Sequence, residues 1–130
     1  MSLDAEHGRG RRRLARIYVE SGKTNKALDL LQGGISGRSA AQLSKEDPNL
    51  AAFLAALYQR DEDHWQAIDL YENLLRLYPK KGVWQMGLAI SLERVGEPAD
   101  ALRAYTTALN SGDLNRKLRS FVNGRIQELK

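Results

Sequence analysis

The feature that most constrains this chain is a repeat of 34 residues between Asn49 and Thr107. Leu54, Ala55, Tyr58, Ala67 and Tyr71 return one period later as Leu88, Ala89, Leu92, Ala101 and Tyr105, with no slip in register. A large apolar residue, a small one beside it, and an alanine about a dozen positions on describe two antiparallel helices joined by a short turn. The alanines answer a steric demand, because two helices approach closely only where the facing side chain is small. Such a chain is expected to be all-α, a right-handed superhelical stack of three helical hairpins with a C-terminal capping helix.

Taken in order, residues 1–8 are polar and expected as a frayed start or tag remnant. Met1-Ser2-Leu3 reads as an expression start rather than a natural one, which leaves room for an upstream anchor or signal. The first hairpin covers about 9–34, with Leu14, Ala15, Ile17 and Tyr18 inward on one helix, a stop at Ser21-Gly22, a cap at Thr24, and Ala27, Leu28 and Leu31 inward on the next. Ala27 precedes Ala67 by 40 residues, six more than the period. The surplus belongs in Gly33–Glu46, whose glycines and serines read as a connecting loop with room for a helical turn at Ala40–Leu43.

Asp47-Pro48 opens the second hairpin, about 48–79, with a side-chain cap and a proline suited to a first turn. Leu50, Phe53, Leu54, Leu57 and Tyr58 make one buried face. Asp63 is expected to cap the partner helix, which turns Trp65, Ile68, Tyr71, Leu74 and Leu75 inward and hands over at Pro79. The third hairpin, about 81–112, buries Trp84, Leu88, Ala89 and Leu92, turns at Gly96, reopens at Pro98 and buries Ala101, Leu102, Tyr105, Ala108 and Leu109. After Ser111-Gly112, residues 113–130 read as the capping helix. Asp113 is its cap, Leu118, Val122, Ile126 and Leu129 form its inner stripe, and Arg116, Lys117, Arg119, Arg125 and Lys130 face water.

Composition narrows the function classes. No apolar run reaches the roughly 18 residues that cross a membrane, so the chain as given is expected to be soluble. Cysteine is absent, which excludes disulfides, thiolate metal sites and cysteine nucleophiles while leaving the compartment open. The net charge of +4 is local: His7–Tyr18 holds Arg9, Arg11, Arg12, Arg13 and Arg16 with no acid, and without them the chain carries −1. The basic balance therefore reports one helix and argues against a general nucleic-acid surface.

No catalytic, metal or cofactor site is expected, and the chain does not read as an enzyme. Gly22-Lys23-Thr24 ends like a phosphate-binding loop, but Ile17 stands where that motif needs glycine. His7 and His64 lie far apart, and the acids beside His64 read as helix caps. Trp65, Tyr71, Trp84 and Tyr105 read as core, not as a cofactor box. What remains is the concave surface, lined by the first helix of each pair. Its candidate partner contacts are Arg12 and Arg16, then Ala52, Phe53, Ala56 and Gln59, then Val83, Met86, Ile90 and Glu93. The groove is basic at its N-terminal end and apolar beyond, which suits an amphipathic helix or a hydrophobic segment.

Over residues 8–113 the chain resembles the tetratricopeptide repeat (TPR) family. That resemblance implies a protein-interaction scaffold without catalytic machinery. Family members that clamp a terminal carboxylate do so from positions matching Arg12, Arg16, Phe53, Val83 and Gly87, of which only the first keeps its charge type. Lys81-Gly82-Val83-Trp84-Gln85-Met86-Gly87-Leu88-Ala89-Ile90-Ser91-Leu92-Glu93, followed by Ala101-Leu102-Arg103-Ala104-Tyr105, is similar to the C-terminal TPR region of the MshN family of pilus biogenesis proteins, of the mannose-sensitive haemagglutinin (MSHA) type IV pilus system. This narrower likeness implies a bacterial envelope assembly part, periplasmic and tethered to the inner membrane by an upstream anchor, with a cytoplasmic scaffold as the alternative. Two rival readings stand beside groove binding: self-association into a homodimer, and nucleic-acid binding through the arginine-rich first helix.

Overall fold

The computed structural model describes residues 38–130. The expected first hairpin at about 9–34 and the start at 1–8 lie outside the described residues. Six helices follow: α1 (Ala40–Glu46), α2 (Pro48–Arg60), α3 (His64–Leu77), α4 (Gly82–Arg94), α5 (Pro98–Asn110) and α6 (Arg116–Leu129). No strand occurs among the described residues, and the helices form an all-α stack of hairpins. The period is visible in the helix starts themselves: Pro48, Gly82 and Arg116 are 34 apart, and so are His64 and Pro98. The last helix thus stands where a further hairpin places its first helix.

Helix entry is set by local chemistry at some joints and by distant chemistry at others. Asp47 accepts a hydrogen bond from the Leu50 N–H at 3.2 Å, and Pro48 occupies the first turn of α2. Asn115, not Asp113, caps α6, accepting from the Leu118 N–H at 2.9 Å, so that helix begins at Arg116 instead of Leu114. Asp113 turns to the neighbouring hairpin and accepts from the Gly82 N–H at 3.0 and 3.2 Å, capping α4 across 31 residues. Glycine at Gly82 leaves room for this cap: a Cβ would stand 2.2 Å from both Asp113 Oδ1 and Ser111 Oγ and displace them. Asp63, expected as a cap, makes no side-chain cap bond to α3.

Two apolar clusters run through the stack. The first joins Leu43 of α1 to Leu50, Leu54, Leu57 and Tyr58 of α2 and to Leu70, Tyr71 and Leu74 of α3. The second joins Ile68 of α3 with Leu92, Tyr105, Leu114, Val122 and Ile126. The small residues that define the period, Ala55, Ala67, Ala89 and Ala101, are fully buried at 0% exposure. Ala67 and Ala101 therefore face the opposing helix, which is what close approach requires. Tyr71 goes further and lays its ring where Gly87 lacks a side chain, so that a Cβ there would meet Tyr71 Cζ at 2.5 Å.

Three further expectations are corrected. The segment read as a loop carries α1, whose Ser39 cap accepts from the Gln42 N–H at 3.1 Å and whose Leu43 and Ser44 are buried against α2 and α3. Trp65 is not core: it is 63% exposed, because it lies about 140° around α3 from the centre of the buried face at about 100° per residue. Arg125 does not face open water; it is half-buried and ion-paired to Glu93.

The turns lead to two predictions. Gly96 has φ +83°, and one period earlier Glu62 adopts φ 63°, a conformation that strains a side chain bearing a Cβ. Glu62→Gly is expected to stabilise the fold by about 0.5–1 kcal/mol, read from the urea midpoint, despite losing the exposed pair to Arg94. Gly87→Ala is expected to cost about 1–2 kcal/mol, overpacking against Tyr71 outweighing the better helix propensity of alanine. In a Tyr71→Leu background the same substitution should cost nothing, and a double-mutant cycle on urea midpoints reads the difference.

Candidate functional site

One face of α2 and α4 is left over once the hairpins have packed, and its residues recur in columns one period apart. Ala52 aligns with Met86, Phe53 with Gly87, Ala56 with Ile90, and Gln59 with Glu93. Ala52, Phe53, Met86 and Ile90 are half-buried, leaning on the clusters beneath them, while Ala56 and Val83 are exposed. These six make an apolar strip along α2 and α4, interrupted at Gly87. Arg12 and Arg16, expected to extend it at the N-terminal end, lie outside the described residues.

The two polar members of the expected groove among the described residues, Gln59 and Glu93, are turned to internal use. Gln59 donates from Nε2 to the Gly87 carbonyl and to Ser91 Oγ, both at 2.8 Å, tying the end of α2 to the middle of α4. Ser91 Oγ stands 3.0 Å from His64 Nδ1. Ser91 thus accepts from Gln59 and shares a second hydrogen bond with the His64 ring, joining α2, α3 and α4 at one hydroxyl. Ser91 is fully buried, so this serine–histidine pair joins helices and has no access to a substrate.

Glu93 makes the equivalent joint one period on. Its Oε1 accepts from Tyr105 Oη at 3.0 Å and from Arg125 Nε at 3.1 Å, and its Oε2 pairs with Arg125 Nη2. Gln59 reaches forward 32 residues to Ser91, and Glu93 reaches forward 32 residues to Arg125. Burial first, and then the hydrogen bond to Glu93, hold the Tyr105 hydroxyl protonated far above its ordinary range. Tyr71, at the matching place in α3, is pushed up to about 12 by burial. Both phenols therefore act as neutral packing groups at any ordinary pH.

The same geometry explains why a carboxylate clamp does not form on α2 and α4. Its matching positions hold Phe53, Val83 and Gly87, and the space above Gly87 is filled by Tyr71. It also adds a residue that sequence reading missed. Phe121, one period beyond Gly87, is 44% exposed on α6 and stacks edge-on against Tyr105, with ring centroids 6.3 Å apart. The apolar strip therefore extends to a third helix.

The family model described as a tetratricopeptide repeat matches residues 50–82, which span α2, α3 and the turn leading into α4. No curated protein matches the chain, so the narrower likeness to pilus biogenesis proteins rests on its string of residues alone. Over that hairpin the chain is similar to a tetratricopeptide repeat, a unit whose general use is to hold one protein against another.

Proposed function

We propose that this chain is a protein-interaction scaffold, taking the apolar face of a helix or an extended hydrophobic segment along the strip formed by Ala52, Phe53, Ala56, Val83, Met86 and Ile90. The observation that carries this is the pairing of half-buried apolar columns on α2 and α4 with polar joints at their C-terminal ends. Those joints hold the two helices in fixed register, so the strip is presented as a formed surface and little ordering is needed on binding. Met86 supplies an adaptable side chain among rigid ones. The match to a tetratricopeptide repeat supports the same class of function.

The finer reading is an assembly part of a bacterial envelope machine, of the type IV pilus kind, with the domain in the periplasm and tethered from upstream. Its support is the Lys81–Glu93 string and the Ala101–Tyr105 string that follows it. No helix of the described residues is long and apolar enough to cross a membrane, so the tether in this reading lies outside them.

The test uses this domain as bait in envelope extract of the parent organism. A pilus assembly component is expected among the captured proteins, and its absence from repeated captures overturns the envelope reading. For the isolated pair, Ile90→Glu and Met86→Glu are each expected to weaken binding by about tenfold or more, as buried apolar anchors do. Circular dichroism should stay unchanged, because both side chains are only half-buried. Binding unaltered by either charge removes the strip from the interface.

A further inference from the structure

Large apolar side chains are left at the surface at both ends of α3, and each set sits beside charge of one sign. At the N-terminal end, exposed Trp65 borders a cleft of about 380 Å³. Its floor is Ile68 and Leu92, and its rim is Asp69, Glu72, Glu97 and Asp100. Of these acids only Asp100 forms an ion pair among the described residues, with Arg103, so the cleft keeps a negative balance. At the C-terminal end, Leu77 is 48% exposed, Tyr78 40%, and Val83 44% just beyond. A recess of about 450 Å³ lies against Tyr78, Pro79, Lys80 and Lys81. Neither lysine forms an ion pair among the described residues; Lys81 Nζ lies 5.2 Å from the centroid of the Trp84 ring.

The two surfaces are complementary in sign and alike in having an apolar centre. They cannot meet within one copy, since α3 runs 14 residues, about 20 Å at the helical rise, and holds them apart. We propose that the acidic Trp65 cleft of one copy receives the Leu77–Lys81 turn of a second, giving a head-to-tail contact between copies of this chain. The turn's lysines lie against Glu72 and Glu97, and the Trp65 ring offers its face to a cation and its area to Leu77 or Tyr78. Opposite charges on the rims steer the encounter and fix the register. Because the two halves of the interface differ, each copy keeps one unused half, and association continues past the dimer unless a ring closes.

The test is sedimentation velocity over a series of protein and salt concentrations, with two variants. The cleft variant carries Trp65→Ala, Glu72→Gln and Glu97→Gln. The turn variant carries Leu77→Ser, Lys80→Gln and Lys81→Gln. All six positions are exposed, so both should keep the wild-type circular dichroism. The wild type is expected to associate as concentration rises, about tenfold more weakly at high salt than at low. Each variant alone should stay monomeric, and an equal mixture should give a dimer that grows no further, because the pair has one working cleft and one working turn. A wild type monomeric up to about 1 mM overturns the proposal, as does a mixture that forms no dimer. A turn variant that associates like the wild type also overturns it, assigning the cleft's cation to another source such as Arg9–Arg16.

Discussion

The structure depends on close approach between helices where side chains are small. Ala55 and Ala89 on the first helices, and Ala67 and Ala101 on the second, leave no accessible surface, so each hairpin closes to contact distance. At the joint between hairpins the same rule is carried further. Gly87 offers no side chain at all, and the Tyr71 ring occupies the space, setting how α3 meets α4. One period on, Tyr105 meets Phe121 instead of a glycine, and the rings stack edge-on. The consequence reaches the surface. Where glycine stands the apolar strip has a gap filled from below, and where phenylalanine stands it projects.

How much of this was legible in the sequence follows from which interactions are local. The hairpins of α2 with α3 and α4 with α5 could be read because their packing residues recur at a fixed step. The short α1 was legible only as room for a helical turn at Ala40–Leu43, since seven residues make a marginal helix alone. Its stability comes from the surface of α2 and α3 on which Leu43 lies. Asp113 was misread for a related reason: it sits where a cap for the next helix belongs, yet its partner is the Gly82 N–H in another hairpin. Trp65 was a failure of weighting, not of information. Its residue type argued for the core, while its phase on α3 placed it with Asp69, Glu72 and Arg76 on the outer face.

The groove was legible in outline and misjudged at its polar positions. Gln59 and Glu93 fall on the inner face and are hydrophilic, which fits a ligand contact equally well as a joint to the next helix. The difference lies in what stands 32 residues further on, Ser91 in one case and Arg125 in the other. Only the fold brings those groups within reach. α6 carried a signal that counting alone could have found, because Arg116 follows Gly82 by one period as Gly82 follows Pro48. That step places Phe121 in the column of Phe53 and Gly87. It also puts Asn123 in the column of Ala55 and Ala89, where it is exposed and polar because no described helix packs against it.

The distribution of polarity separates two kinds of contact on one small stack. Along α2 and α4 the charges near the groove are neutralised internally, Glu93 by Arg125, and the surface left for a partner is apolar. The binding proposed there would be governed by shape and buried area, with little for salt to screen. At the two ends of α3, Asp69, Glu72, Glu97, Lys80 and Lys81 form no ion pair among the described residues, so the proposed contact there would depend on charge and weaken as ionic strength rises. The groove lies on the first helices of the hairpins and the end surfaces lie chiefly on the second helices and the turns. Val83 borders both surfaces, and salt distinguishes which of the two proposed contacts any measured association reports.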